Sequence, residues 1–297
     1  MTGATGFVGT RLIDQVVASG HSAHALTRRE QACREDVTWI SGSLEDSGSL
    51  DRLCAGADAI VHVAGVINAP DMAGFEAGNV GGTANVVEAA KRNAVRRFVH
   101  VSSLAAREPR LSQYGASKAR SEHLVRASGL DWVIVRPPAV YGPGDRETLE
   151  LFRMAKRGLM LMPPEGKLSL IHVDDLARLL VALADPAAPA QMLIEPDDAH
   201  PGGYTHRQFA SLLASAFGTN AKIFSAPSAV VRAAARLDRL VRGRNAKLTP
   251  DRASYFCHPD WVVSPELAAP KSVWSPRIAT RVGIRDTARW YEAIGWL

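Results

Sequence analysis

Thr2-Gly3-Ala4-Thr5-Gly6-Phe7-Val8-Gly9 opens the chain and runs directly into an amphipathic stretch whose Leu12, Ile13, Val16 and Val17 share one side. Glycines at this spacing let the backbone turn tightly and approach a pyrophosphate, whose charge the N-terminus of the following helix then meets. Gly3, Thr5, Gly6, Phe7, Val8 and Gly9 are therefore candidate dinucleotide ligands. Alone, the run also fits a plain strand-to-helix turn, and the spacing after it decides.

Downstream to about residue 136, short apolar runs alternate with longer amphipathic stretches, the pattern of a parallel sheet covered by crossover helices. Strands are expected at Ala23–Thr27, Thr38–Ile40, Ala59–Val63, Arg97–Val101 and Trp132–Val135, and helices at Gly9–Ser19, Leu50–Cys54, Gly82–Arg92 and Ser112–Ser128. The fold class is α/β: a Rossmann-type doubly wound parallel sheet with a smaller mixed C-terminal substrate domain. Pro137, Pro138, Pro143, Pro163 and Pro164 then break the alternation. The expected division is a dinucleotide-binding domain over 1–141 and a substrate-binding domain over 142–297, with 167–190 able to pack back onto the first. Helices are expected near Thr148–Arg157, Asp174–Ala184, His206–Phe217, Ser228–Val241 and Ile284–Ile294. Met1 directly precedes the glycine turn, where this fold places a strand of about five apolar residues. That strand is expected to be truncated, with its missing residues encoded upstream.

The 297 residues are 22% charged and 46% hydrophobic, with a formal net charge of +5, an ordinary globular composition. Cys33, Cys54 and Cys257 are too widely spaced for a zinc or redox motif, which predicts a reducing, cytoplasmic setting without disulfides or a metal. No apolar run approaches the roughly 18 residues of a membrane span, and no basic-aromatic interleaving suggests nucleic acid.

A dinucleotide site also needs a discriminator after its second strand, where an acid binds the ribose 2′-hydroxyl and an Arg accommodates a 2′-phosphate. Here Leu26-Thr27 leads into Arg28-Arg29, with no acid before Glu30. The reading is NADP(H), with NAD possible if Glu30 turns inward and the arginines are only solvated. Phe98-Val99-His100-Val101-Ser102-Ser103 reads as a strand ending in hydroxyls, and Tyr114-Gly115-Ala116-Ser117-Lys118 opens a helix that places Tyr114 and Lys118 on one face. A phenol is a poor proton donor or acceptor at neutral pH, and a neighbouring ammonium stabilises its anion. A serine hydroxyl can hold the substrate oxygen.

With these motifs the chain resembles the extended branch of the short-chain dehydrogenase/reductase superfamily, the NAD(P)-dependent epimerase/dehydratase family. Asp58-Ala59-Ile60-Val61-His62-Val63-Ala64-Gly65, Asn79-Val80-Gly81-Gly82-Thr83, Arg136-Pro137-Pro138-Ala139-Val140-Tyr141-Gly142-Pro143-Gly144-Asp145 and Ile171-His172-Val173-Asp174-Asp175 carry the resemblance in order. It implies that Tyr114 is the general acid/base and that Lys118 binds the nicotinamide ribose and lowers the Tyr114 pKa. Ser103 polarises the reacting oxygen, with Ser102 as the fallback. It also implies cofactor contacts from Ser43, Leu44, His62, Val63, Ala64, Gly65, Asn79, Val101, Pro137 and Val140. Ser43 replaces the family's Asp and removes an acceptor charge beside adenine. His172 and Asp174 read as hinge and packing groups.

Several chemistries share this scaffold. Leu104-Ala105 stands where dehydratase relatives carry Asp-Glu, and Ala139 where nucleotide-sugar enzymes usually place Asn. The Arg-Pro-Pro-Ala-Val-Tyr-Gly-Pro-Gly-Asp form is similar to the 3β-hydroxysteroid dehydrogenase and dihydroflavonol reductase branch. The expected activity is hydride transfer between a nicotinamide cofactor and a secondary alcohol or ketone of a small, fairly apolar substrate. The alternatives are a nucleotide-sugar epimerase using the same residues and a non-catalytic dinucleotide-binding subunit. A homodimer is the family's common assembly. Tyr141, Met154, Met160, Leu161 and Met162 fit either an apolar substrate site or a core.

The charge is unevenly placed, +1 over 1–141 and +4 over 142–297. Residues 232–252 hold Arg232, Arg236, Arg239, Arg242, Arg244, Lys247 and Arg252 against Asp238 and Asp251. At helical spacing Val230, Ala234, Leu237, Leu240 and Val241 lie opposite the first four arginines. Two readings follow: a solvated basic face over a packed apolar one, or peripheral contact with an anionic membrane surface or partner.

Overall fold

Every residue except 244, 245 and 247 is described by the computed structural model, so the expected basic residues Arg244 and Lys247 lie outside the described residues. The chain divides into two units: Met1–Pro137 with Asp174–Pro196 and Glu266–Ser275, and Pro138–Val173 with Asp197–Pro265 and Pro276–Leu297.

The first unit is a doubly wound parallel sheet. Met192–Ile194, Asp131–Val135, Arg97–Val101 and Ala59–His62 pair in that order, and Ala23–Thr27 pairs with Val37–Ser41, all parallel. Between the two groups lie Met1 and Thr2: Thr2 N donates to Val61 O (3.1 Å) and Leu26 N to Met1 O (3.0 Å). The strand order reverses about this pair, and the crevice at such a switch point, outside the carboxyl ends of the strands, is where this architecture binds ligands. The inner strands are buried on both faces because helices cover both, and Arg97–Val101 is buried throughout.

The helices begin where sequence supplies a cap. Asp46 accepts from Gly48 N and Ser49 N ahead of Ser47–Cys54, and Ser112 accepts from Gly115 N ahead of Gln113–Arg126. Phe7–Ala18 starts two residues before the expected Gly9, and its N-cap Gly6 offers no side chain to the orphan amides. Buried Arg97 holds the sheet's edge connection: Nε donates to Asp185 O (3.1 Å), Nη1 to Pro189 O (3.2 Å) and Nη2 to Ala188 O.

The second unit is mixed. Its core gathers Tyr141, Phe152, Met160, Met162, Phe209, Leu213, Ile284 and Tyr291, with Met154 packed at its margin. Of the five residues that suited a substrate site as well as a core, Tyr141, Met160 and Met162 lie in this core and Met154 packs against it, and Leu161 points to solvent instead, 58% exposed. Parallel pairs join Ala139–Tyr141 to Leu170–His172 and Leu159–Met162 to Lys222–Ser225. The closing helix Thr280–Ala293 is anchored by Tyr291 Oη, which donates to Asp145 O (2.6 Å), and by the stacking of Tyr291 on Trp296.

One expectation fails here. In the helix Ser228–Arg242 the stretch opposite the arginines is not packed: Val230, Leu237, Leu240 and Val241 are exposed, and among the helix residues only Ala235 is buried. Ala235, the buried position, lies on the side of the helix that carries the arginines rather than on the apolar stripe. Among the described residues, no helix is long and apolar enough to cross a membrane.

Candidate active site

The glycine turn is shaped by contacts that exclude a side chain. Gly3 has φ +68°, and a Cβ there would lie 2.6 Å from Ala64 N; at Gly9 it would lie 2.0 Å from Gly3 O. Gly6 N donates to Gly3 O (3.0 Å). Thr5 and Gly6 are exposed at the tip, Phe7 and Val8 are half-buried, and Gly9 is buried. A tight backbone cradle ending in an uncapped helix start, with no acid in its first turn, fits a nicotinamide dinucleotide's pyrophosphate.

Beside the cradle lies the segment His62-Val63-Ala64-Gly65, fixed by a hydrogen-bond chain whose direction can be worked out. Thr83 Oγ1 donates to Asn79 O (2.6 Å), so it accepts from His62 Nε2 (3.0 Å). His62 Nδ1 then accepts from Thr2 Oγ1 (2.7 Å), which itself accepts from Ala64 N (3.2 Å). Burial, then the nearby Lys118 charge, push His62 down to about 3, so it is neutral. Its ring stacks on His100 at 5.4 Å, and His100 is likewise held well below the usual imidazole range by burial and by Lys118.

Asn79 sits in a π turn, Glu76–Gly81. Its side chain accepts from Val66 N (2.7 Å) and donates to Val66 O and Ser117 Oγ (both 2.9 Å). The amide named above as a cofactor contact is thus engaged in clamping the 65–66 backbone to the helix that bears Tyr114 and Lys118. Ser43 forms a local turn, accepting from Glu45 N at Oγ (3.3 Å). Leu44 packs against Gly82, and its carbonyl accepts from Asn85. Arg28 and Arg29 are exposed just past the strand, where Thr27 Oγ1 accepts from Arg29 N (3.2 Å) and donates to Arg29 O (2.7 Å).

The reactive side chains converge on the carboxyl end of Arg97–Val101. Ser103 hydrogen-bonds the Tyr114 phenol. Ser102 is turned away, its hydroxyl donating to Glu122 Oε1 (2.5 Å). Gly115 makes the approach possible, since a Cβ there would lie 2.6 Å from Ala105 O. Lys118 is buried and donates to Val101 O (2.9 Å). Pro137 O accepts from Leu104 N (3.0 Å), pinning the turn that carries Ser103. Val140 belongs to the second unit, on Ala139–Tyr141. Asp174 pairs with Arg11 (2.5 Å), and His172 packs edge-on to Tyr141.

Electrostatics differ from the sequence argument in one respect. Burial pushes the Tyr114 phenol up, with the Ser103 hydrogen bond opposing, rather than down through Lys118. The ammonium is committed to Val101 O, and burial brings it down to about 8 while Glu122 opposes. Glu122 is itself held by Arg136, at 2.8 Å to Oε1 and 2.7 Å to Oε2. Thr83, Ser117 and Glu122 are the residues that sequence reasoning missed. The polar side facing inward on a helix, as at Ser117, Ser121 and Glu122, is the signal that marks them.

A stability measurement follows from Lys118. Between pH 8 and 10.5 the unfolded chain binds more protons than the native one, so stability from this group rises across that window. Below pH 8 its desolvation costs about 3 kcal/mol. The difference in urea unfolding free energy between wild type and Lys118→Met should therefore move by about that amount in favour of wild type from pH 8 to 10.5. An unchanged difference would show that the buried ammonium is not destabilised.

Comparison with known proteins identifies the chain's family and fold. Residues 1–193 match the NAD dependent epimerase/dehydratase family. A ceramide reductase from Caulobacter vibrioides is 38% identical, covering 100% of this chain and 95% of the relative. A 4-hydroxy-2-methyl-3-oxo-4-farnesyl-3,4-dihydroquinoline-1-oxide ketoreductase from Stigmatella aurantiaca is 30% identical, covering 80% and 78%. The solved structure of MoeE5 in complex with UDP-glucose and NAD superimposes with a TM-score of 0.75 at 20% identity, covering 99% and 98%; at that identity it speaks to the fold. Cradle, fold and sequence match together mean that the chain belongs to the NAD dependent epimerase/dehydratase family, as an NAD(P)-dependent enzyme.

Proposed function

We propose that the protein is an NADP(H)-preferring reductase of an apolar ketone, with a carbonyl-bearing lipid of the ceramide type as its substrate class. The observation that carries this reading is the Ser103 hydroxyl on the Tyr114 phenol at the end of a strand whose Val101 carbonyl holds Lys118. The dinucleotide, when bound, supplies the hydride. Gly3, Gly6 and Gly9 would hold its pyrophosphate against the uncapped helix start, and Arg28 and Arg29 would hold a 2′-phosphate. Ser103 orients the substrate oxygen, and Tyr114 donates its proton to that oxygen as the alkoxide charge develops. A phenol raised by burial is fully protonated at neutral pH, the form that a reduction needs. Lys118 supplies positive charge beneath the site.

The similarity to a ceramide reductase and to a farnesylated-quinoline ketoreductase supports the apolar substrate. The test is to incubate the protein with NADPH and long-chain keto-amides, following nicotinamide absorbance. Steady loss of absorbance with formation of the alcohol is expected. Inversion of a nucleotide sugar without net absorbance change would overturn the reading in favour of epimerisation. For the cofactor, the Arg28→Glu/Arg29→Glu variant should lose about 100-fold in kcat/KM with NADPH, on the order of 3 kcal/mol, and little with NADH. A wild-type preference for NADH would end the NADP assignment.

A further inference from the structure

The helix Ser228–Arg242 is built inside out for a soluble protein. Val230, Leu237, Leu240 and Val241 are 56%, 61%, 83% and 74% exposed, and Ala229, Ala233 and Ala234 are exposed with them. At 100° per residue these seven positions form one continuous arc. Buried Ala235 and half-buried Val231 and Asp238 define a different, inward side. Arg236 borders the apolar arc, Arg232 and Arg239 lie successively farther round the helix toward Ala235, and Arg242 lies between Ala235 and Val231. The strand pair that leads into the helix continues the theme: Leu159, Leu161 and Phe224 are exposed, and Leu161 is paired with Phe224 in the ladder.

An exposed apolar patch of this kind marks an interaction surface, and the charge beside it selects the partner. The helix carries one acid, Asp238, which is half-buried and engaged by Arg242 (3.3 Å) and by Leu248 N (2.8 Å). A two-fold contact with a second copy through this stripe would bring arginine rows together without an acidic counterpart from the helix. A bilayer surface with anionic headgroups satisfies both features: acyl chains receive the apolar stripe, and headgroup phosphates receive the Arg236 guanidinium at its edge and the long side chains of Arg232 and Arg239 that extend round the helix from farther back. We propose that the helix Ser228–Arg242 docks the protein on an anionic membrane surface, lying in the interface plane without crossing it.

This inference stands on exposure and charge, independently of the substrate. It is tested by flotation of the full-length protein with vesicles of phosphatidylcholine alone and of an equimolar phosphatidylcholine–phosphatidylglycerol mixture. Wild type is expected to float with the mixed vesicles and to be released by high salt, with little binding to phosphatidylcholine alone. Leu240→Glu/Val241→Glu should reduce flotation at least tenfold, and Arg232→Glu/Arg236→Glu/Arg239→Glu about 100-fold, at roughly 1 kcal/mol per arginine. Both variants change exposed side chains, so unchanged thermal unfolding separates lost docking from lost folding. Absence of flotation, equal flotation with both vesicle types, or a lipid-free dimer that Leu240→Glu dissociates would each overturn the proposal. Failure of the ketone assay would leave the flotation result intact.

Discussion

Tyr114→Phe is expected to lower kcat for ketone reduction by about 1000-fold while leaving dinucleotide affinity within about twofold, because positioned general acid catalysis contributes on the order of 100- to 10,000-fold. The substitution removes only the phenolic oxygen, the atom that Ser103 hydrogen-bonds. The ring's packing beside Phe75, 6.2 Å between centroids, is retained. Lys118 keeps its bond to Val101 O, and the cradle at Gly3 to Gly9 is untouched. Single-turnover rates and a dinucleotide fluorescence titration separate the two quantities. Turnover equal to wild type would refute the role of Tyr114, and parallel loss of binding would show that the ring supports the dinucleotide instead.

Gly9→Val is expected to have the largest effect on binding. A Cβ at this position would lie 2.0 Å from Gly3 O and 2.8 Å from Ala4 Cα, both backbone atoms that cannot rotate away. The turn has to open, which removes the Gly6 N to Gly3 O bond and displaces Gly3 from Ala64. Overpacking of this kind costs about 3 kcal/mol of stability, and displacing the amides of the first helical turn should weaken dinucleotide binding at least about 100-fold, near 3 kcal/mol. Gly6→Ala is the control for the stability loss alone, since its Cβ would stay 3.3 Å from the same oxygen. Thermal unfolding with and without dinucleotide distinguishes the two. Equal behaviour of both variants would mean that the Gly9 contact does not set the turn.

The alternation of apolar and amphipathic segments made the first unit legible, because strands buried on both faces read as unbroken apolar runs. Arg97–Val101 and Gly82–Arg92 begin and end where that pattern predicts. The second unit was less legible: short strands such as Ala139–Tyr141 and Leu170–His172 span too few residues for a period to show. The juxtaposition of Ser103 with Tyr114 rests on a tertiary approach at Gly115 that no spacing encodes. The family resemblance singled out Asn79, but its partners Val66 and Ser117 lie 13 and 38 residues away in sequence. The helix Ser228–Arg242 shows the limit most plainly. Its two faces were readable from residue spacing, but which of them meets the rest of the unit depends on the surface it rests upon.

The stacked imidazoles of His62 and His100 have a consequence for kinetics. His62 is held down to about 3, so it takes up no proton between about pH 5 and 7, and burial and the Lys118 charge push His100 well below its ordinary value in the same direction. A rate profile measured across mildly acidic conditions should be flat as far as these rings are concerned. Any acid limb in that range belongs to the substrate or to groups outside this stacked pair, and imidazole-directed reagents should find both rings unreactive until the protein unfolds.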